Sequence, residues 1–185
     1  LYGDVGGVIS PIGDLNKKEV YELAHYLNNA VFKQEIISAE LFPNELFEFD
    51  DQAIPPSAEL RHEQVDPMKF GYHCALVDAF TRYKKVSSEE VLQWYLDGTM
   101  DKNLGVSNAL LARWGITDPL LFVDDLEWFA EAIRKSVFKR IQAPPIIITS
   151  PSAYGFDIRE SQLPSCHSRR YAELKARVLA LKEYP

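Results

Sequence analysis

A mainly helical α/β chain with one or two short strands is what the sequence predicts, on three observations. Apolar residues recur at three- and four-residue spacing in successive stretches. Helix-start signals stand in front of most of those stretches. Ile146 to Thr149 reads as a short extended run, and Val8-Ile9 is a short apolar stretch in the opening. A length of 185 residues suits one unit with a sizeable core. Hydrophobic content of 46% with 25% charged residues excludes intrinsic disorder.

The elements follow in order. The opening LYGDVGGVISPIGDL is loop-like, and its glycines so close to the first residue imply that the chain continues a longer protein. Asp14 stands where an N-cap belongs, with Glu19 and Glu22 in the early turns that follow. Val20, Leu23, Ala24, Leu27 and Val31 then predict one amphipathic helix from Leu15 to about Phe32. From Glu40 to Asp51 there are five acids and no base, interleaved with Leu41, Phe42, Leu46, Phe47 and Phe49. Pro43, Pro55 and Pro56 break any long element, so this stretch reads as an exposed loop with aromatic anchors.

A helix is predicted from Tyr72 to Tyr83 with Leu76, Val77 and Phe80 inward. Ser87 and Glu90 form a capping box before Val91, Leu92, Tyr95 and Leu96. Gly98 and Gly105 punctuate the chain, and a short helix from Ala109 to Trp114 is closed by Gly115. Asp118-Pro119 is an N-cap followed by proline at the first helical position. The longest helix starts there and runs to about Arg140, with Leu121, Leu126, Phe129, Ile133 and Val137 as its apolar stripe. Ala143-Pro144-Pro145 ends it. Residues 150–166 are polar and surface-like, and His167 or Ser168 opens a last helix with Leu174, Val178 and Leu181 on one face.

Charge excludes several functions. The chain carries 20 Lys+Arg and 27 Asp+Glu, a net of −7. Residues 1–130 hold 10 basic and 22 acidic side chains, whereas residues 131–185 hold 10 basic and 5 acidic. The acidic total argues against general nucleic-acid binding, while the basic last third leaves room for a local anion site. No apolar run approaches the roughly 20 residues that span a bilayer. Cys74 and Cys166 are far apart and read as reduced thiols of a cytoplasmic protein. His25, His62, His73 and His167 form no HxxxH pair, and no metal site is assigned.

Four groups carry candidate chemistry. The Tyr2-Gly3-Asp4-Val5-Gly6-Gly7 loop offers close backbone approach and one carboxylate, for a ligand or simply for a turn. Lys17 and Lys18 start a helix, where the macrodipole disfavours cations; they face an anionic ligand or are merely solvated. Pro55-Pro56-Ser57-Ala58-Glu59-Leu60-Arg61 sets a hydroxyl, a carboxylate and a guanidinium in a stiff turn. Arg134, Lys135, Lys139 and Arg140 make an anion-ready helix end.

In order, these blocks are specific. YGDVGGVISPIGDLNKKEVYELA, then PPSAELR with Gln64-Val65-Asp66 after it, then KRIQAPP, resemble the synthetase domain of the NAD synthetase family. SAYGFDIRES and RRYAELKA resemble the tail of its glutamine-dependent members. The resemblance implies a doubly wound, Rossmann-like adenine-nucleotide-hydrolase-like α/β domain. Residues 1–185 would then be one unit, the mainly helical C-terminal part of it. It implies a ligase that adenylates deamido-NAD with ATP and Mg²⁺ and then amidates it with ammonia from glutamine, giving NAD, AMP and pyrophosphate.

By the same resemblance, Lys17 matches a lysine on the ATP phosphates and Ser57 a hydroxyl on the same nucleotide. Asp4 matches the aspartate of the family's YGD turn beside the adenylation centre. Lys139 and Arg140 match a basic pair that binds deamido-NAD. Leu1 and Val8 depart from two family positions that bind deamido-NAD, so those roles are not carried over. The family's SGGxDS loop, its acidic Mg²⁺ ligand and its glutaminase domain do not occur in these 185 residues. The expectation is therefore that the isolated chain is inactive, that metal ligands lie upstream, and that the protein is a homodimer. The competing expectation is a non-catalytic helical interaction module that docks a partner through the acidic loop 40–51.

Overall fold

The computed structural model describes residues 8–48, 67–81, 86–136, 144–149 and 167–182. Seven α-helices occur among them: α1 (Lys17–Tyr26), α2 (Tyr72–Thr81), α3 (Ser88–Leu96), α4 (Met100–Leu104), α5 (Asn108–Arg113), α6 (Pro119–Lys135) and α7 (Arg169–Ala180). A π-helical segment, Leu27–Phe32, continues α1, and a 3₁₀ turn covers Ala39–Leu41. None of these helices is long and apolar enough to cross a membrane.

Most starts are set by local side-chain caps. Ser87 accepts from the Glu90 amide while Glu90 reaches back to the Ser87 amide, the reciprocal box expected before α3. Asp118 accepts from the Leu120 and Leu121 amides, with Pro119 as the first residue of α6. Ser168 caps α7 through the Tyr171 amide. The first helix departs from expectation, because Asn16 is its cap, boxed with Glu19, and Asp14 is not. Nor does the element run uniformly to Phe32. Asn28 is buried there and accepts from the Ile36 and Ile37 amides while donating to the Ile37 carbonyl. That fold-back, with Lys33 in the left-handed region at φ 53°, accompanies the wider π turn.

One core unites the later helices. Tyr72, Leu76 and Phe80 of α2 pack with Val91 and Leu92 of α3, Met100, Leu111 and Ile116. Phe122, Val123, Leu126 and Phe129 of α6 join them, as do Tyr171, Leu174 and Val178 of α7. Each such buried side chain contributes roughly 1.5–3 kcal/mol by leaving water. The predicted stripe of α6 holds at Leu126, Phe129 and Ile133, but its first member is exposed: Leu121 is 53% exposed, and Phe122 and Val123 are buried instead. Leu181, beyond the end of α7, is likewise exposed, and Tyr171 is buried in its place. Helix α6 ends at Lys135 rather than running to about Arg140 as expected: Ser136 caps it, its amide and hydroxyl both donating to the Ala132 carbonyl, and residues 137–143 lie outside the described residues.

Helix α1 contributes nothing fully buried to this core. It lies along the edge, held by polar and aromatic contacts. The two expected strands reduce to a single parallel bridge between Ser10 and Ile146. Two things keep it short: Pro145 has no amide to donate on the near side of the bridge, and on the far side the Ile12 carbonyl is taken by the Leu15 amide as the chain turns toward α1.

Candidate functional site

Arg134 and Lys135 of the anion-ready helix end pair with Glu131, at 2.5 and 3.1 Å, and of the residues matched to family roles Lys17 alone lies among the described residues. Asp4, Ser57, Lys139 and Arg140 lie outside them. Its surroundings are therefore the place to ask what the site can do.

The site is built from the loop 8–16 and the first turn of α1. Asn16 spends its side-chain oxygen on the Glu19 amide and its amide nitrogen on Asp78 Oδ1 of α2, 3.4 Å away. Helix α1 is thereby started and pinned to α2 by one residue. Near this helix start the backbone amides of Gly71, Lys18 and Lys17 favour the ionised form of the Cys74 thiol. Burial pushes that thiol up, and those amides only partly offset it. Cys74 is a free, buried cysteine and behaves as a structural acceptor rather than a thiolate. Burial, and then the neighbouring Cys74, also raise the Tyr21 hydroxyl above its ordinary value.

The two lysines at the start of α1 differ. Lys18 pairs with Glu22 at 3.7 Å in solvent. Lys17 is half-buried and makes no ion pair among the described residues; its ammonium sits 5.6 Å from the centre of the Tyr21 ring. A cation at the positive end of a helix, without a carboxylate, is disfavoured by the macrodipole and is ready for an anionic ligand.

The loop ahead of Lys17 is fixed by long-range bonds. The Ser10 amide donates to the Pro145 carbonyl at 2.8 Å, and the Ile147 amide to the Ser10 carbonyl at 3.0 Å. Asp14 is completely buried, and its Oδ2 accepts from the Thr149 amide at 2.8 Å. Gly13 has no room for a side chain, since a Cβ there would meet Ser10 Oγ at 2.5 Å and Ile146 Cγ2 at 3.3 Å.

A cleft of 290 Å³ opens on the other side of Asn16, lined among others by Lys18, Phe47, Gly71, Cys74 and Asp78; Lys17 is not part of its wall. Two of the expected aromatic anchors of the acidic segment, Phe42 and Phe47, hold it against α1. Phe42 stacks on His25 at 4.1 Å, and Phe42 and Phe47 each lie 6.4 Å from Tyr21. Arg113 of α5 donates to the Leu46 and Phe47 carbonyls and lies 3.6 Å from Glu48.

Sequence reasoning missed two groups. The first is Asp14 itself, although Asn16-x-x-Glu19 was the better capping signal and left Asp14 over. The second is a buried cluster of Lys69, His73 and Asp125. The Lys69 amide donates to His73 Nδ1 at 2.9 Å, so the ring carries its proton on Nε2, which donates to Asp125 Oδ2 at 3.0 Å. Lys69 Nζ bonds the other carboxylate oxygen. Burial opposes the Asp125 charge, but the bonds from His73 and Lys69 outweigh it and hold the carboxyl below its usual range. No local signal joins residues 69, 73 and 125. The cluster ties the approach and start of α2 to α6 through one shared carboxylate.

Comparison with known proteins matches this arrangement to a family. The model of the family described as NAD synthase covers residues 1–104, from the opening loop through α4. An NH(3)-dependent NAD(+) synthetase of Helicobacter acinonychis is 34% identical over 110 residues, which are 56% of this chain and 35% of that protein. A Glutamine-dependent NAD(+) synthetase of Thermotoga maritima is 28% identical over 159 residues, 86% of this chain and 22% of its own length. A Glutamine-dependent NAD(+) synthetase of Synechocystis matches similarly, 28% over 157 residues, 84% of this chain and 21% of its own. The chain thus spans about a third of the first relative and about a fifth of the other two. No solved structure matches the chain significantly. Since the family match takes in the loop 8–16, α1 with Lys17 and the cleft-forming helices through α4, and covers more than half of the residues, the chain belongs to the NAD synthase family.

Proposed function

We propose that this chain is the C-terminal part of the synthetase domain of a glutamine-dependent NAD synthetase, with the doubly wound α/β architecture of that family. The whole protein activates deamido-NAD with ATP and amidates it with ammonia derived from glutamine, releasing AMP and pyrophosphate. The observation that carries this reading is Lys17: a half-buried ammonium at the start of α1, within the family match and without a carboxylate among the described residues. A lysine so placed neutralises charge that develops on the phosphates during nucleotidyl transfer, an effect of about 3 kcal/mol per donor. Ser57 would hold the same nucleotide, Asp4 would lie at the adenylation centre, and Lys139 with Arg140 would bind the deamido-NAD pyrophosphate.

The glutamine-dependent subtype is supported by relatives of that type that match along 84–86% of the chain, past α4 and into its later helices. Among the described residues no group of three or more His, Cys, Asp or Glu side chains could hold a metal ion. Mg²⁺ is therefore given no ligand and no step in this part of the protein. Activity belongs to a polypeptide that also carries the SGGxDS loop, as a homodimer in the cytoplasm. The interaction-module reading is disfavoured because the acidic segment is engaged by its own chain through Arg113, Tyr21 and His25.

Turnover with ATP, deamido-NAD and ammonia tests the reading. In the intact protein, Lys17→Ala should lower kcat/KM about 100-fold, and residues 1–185 alone should form no NAD. Robust NAD formation by those residues alone would sink the division of the domain; undiminished turnover by Lys17→Ala would sink the role of the lysine.

A further inference from the structure

We infer that Asp14 is a positioning residue for Lys17: its buried carboxylate ties the run 144–149, outside the family match, to the loop that delivers the lysine. The inference rests on the proposed function and adds to it a residue that touches no substrate.

In a parallel pair, every second amide of one strand donates to every second carbonyl of the other. Ile147 donates to the Ser10 carbonyl, so the next amide, Thr149, would be due at the Ile12 carbonyl. That carbonyl is instead taken by the Leu15 amide, 3.2 Å away, where the chain turns toward α1. Asp14 Oδ2 supplies the missing acceptor. The side chain thus carries the ladder one step past the point where the backbone leaves it.

The choice of a carboxylate is costly unless it is bonded, because a buried charge loses its hydration. Asp14 is fully buried and nevertheless stands in a loop whose backbone is packed without slack at Gly13. Two residues later Asn16 caps α1, and Lys17 is the first helical residue. Any shift of the loop relative to Ile146–Thr149 therefore reaches the lysine through three peptide units. A residue in this position acts on nucleotide binding through Lys17 alone, whereas a merely structural residue would weaken the fold irrespective of Lys17.

The test uses the intact protein with Asp14→Ala, Asp14→Asn, Lys17→Ala and the Asp14→Ala/Lys17→Ala double variant. Steady-state kinetics with varied ATP and hydrogen exchange over 144–149 are the readouts. Asp14→Ala should raise the ATP KM about tenfold, which is ~1.4 kcal/mol, and should speed exchange at Thr149. Asp14→Asn, whose carbonyl oxygen still accepts from that amide, should restore the ATP KM to within about threefold of the parent. In the Lys17→Ala background, Asp14→Ala should change the ATP KM by less than about twofold. An equal tenfold effect in both backgrounds, or unchanged exchange at Thr149, overturns the inference while leaving the proposed function intact. Wild-type kinetics in Lys17→Ala overturns both.

Discussion

The carboxylate of Asp125 on α6 lies 3.0 Å from His73 Nε2 on α2, inside a site where the imidazole is wholly buried and the carboxylate nearly so. Three rings enclose that imidazole: Tyr72 at 5.3 Å, Phe129 at 5.0 Å and Trp128 at 5.4 Å. The charge is compensated by Lys69 and the ring N–H, so α2, α6 and the approach to α2 share one bonded group.

Removing the carboxylate leaves Lys69 and the His73 N–H without their partner. Asp125→Ala should destabilise the fold by about 3 kcal/mol in urea unfolding. Because the folded carboxyl titrates below its unfolded value, its contribution is present above the unfolded value and is lost as pH falls through the folded one. Stability of the parent should therefore fall on acidification below about pH 4, and Asp125→Asn should flatten that limb. A limb as steep in Asp125→Asn as in the parent would remove Asp125 from the account.

The last helix is docked by a second polar contact. Tyr171 Oη donates to Glu127 Oε1 at 3.0 Å, and Lys175 Nζ reaches the same oxygen at 2.5 Å. Burial, then Glu127, push the tyrosine hydroxyl well up. Tyr171→Phe should cost about 1 kcal/mol, because the partly exposed Glu127 can recover water. Thermal unfolding across pH 3–8 should show the loss only where Glu127 is ionised.

Gly71 is a packing constraint. It has φ +81°, and a Cβ there would meet the Phe47 ring at 2.7 Å and Leu110 at 2.9 Å. Gly71→Ala should cost about 2 kcal/mol. Phe47→Leu in the same chain should recover the steric share and leave the share due to positive φ. Equal stabilities for the single and double variants would show that Phe47 is not the obstacle.

Arg113 bears on the acidic segment without touching its first half. With its bonds to Leu46 and Phe47 and its contact with Glu48 removed, Arg113→Ala should open residues 44–48 to limited proteolysis, with global stability lowered by about 1 kcal/mol. Unchanged cleavage would mean that the aromatic contacts to Tyr21 and His25 hold the segment alone.

Much of this architecture was legible in local sequence. The Ser87–Glu90 box, the Asp118-Pro119 start and the Ser168 region are interactions within three residues, so the chain around them is enough to produce them. The aromatic anchors of the acidic segment were legible too, because large apolar rings in a charged loop need somewhere to be buried. The choice of Phe122 and Val123 over Leu121 in the first turns of α6 was not, since several neighbouring residues there are apolar and only the partner helices choose among them. Of the candidate site, Lys17 was singled out in sequence, and the structure adds that it is half-buried at the start of α1 with its ammonium 5.6 Å from the centre of the Tyr21 ring.

By itself, then, the sequence determined where helices start, which family the chain belongs to, and which lysine is worth testing; each depends on neighbours along the chain or on an ordered set of motifs. Tertiary structure alone decided what Asp14 and Asp125 do. Asp14 looked like a cap and instead accepts an amide 135 residues away, and Asp125, which carries no local signal of a role, is bonded 52 residues back. A carboxylate takes whichever donor burial leaves within reach, and that donor is set by how the helices pack rather than by spacing along the chain.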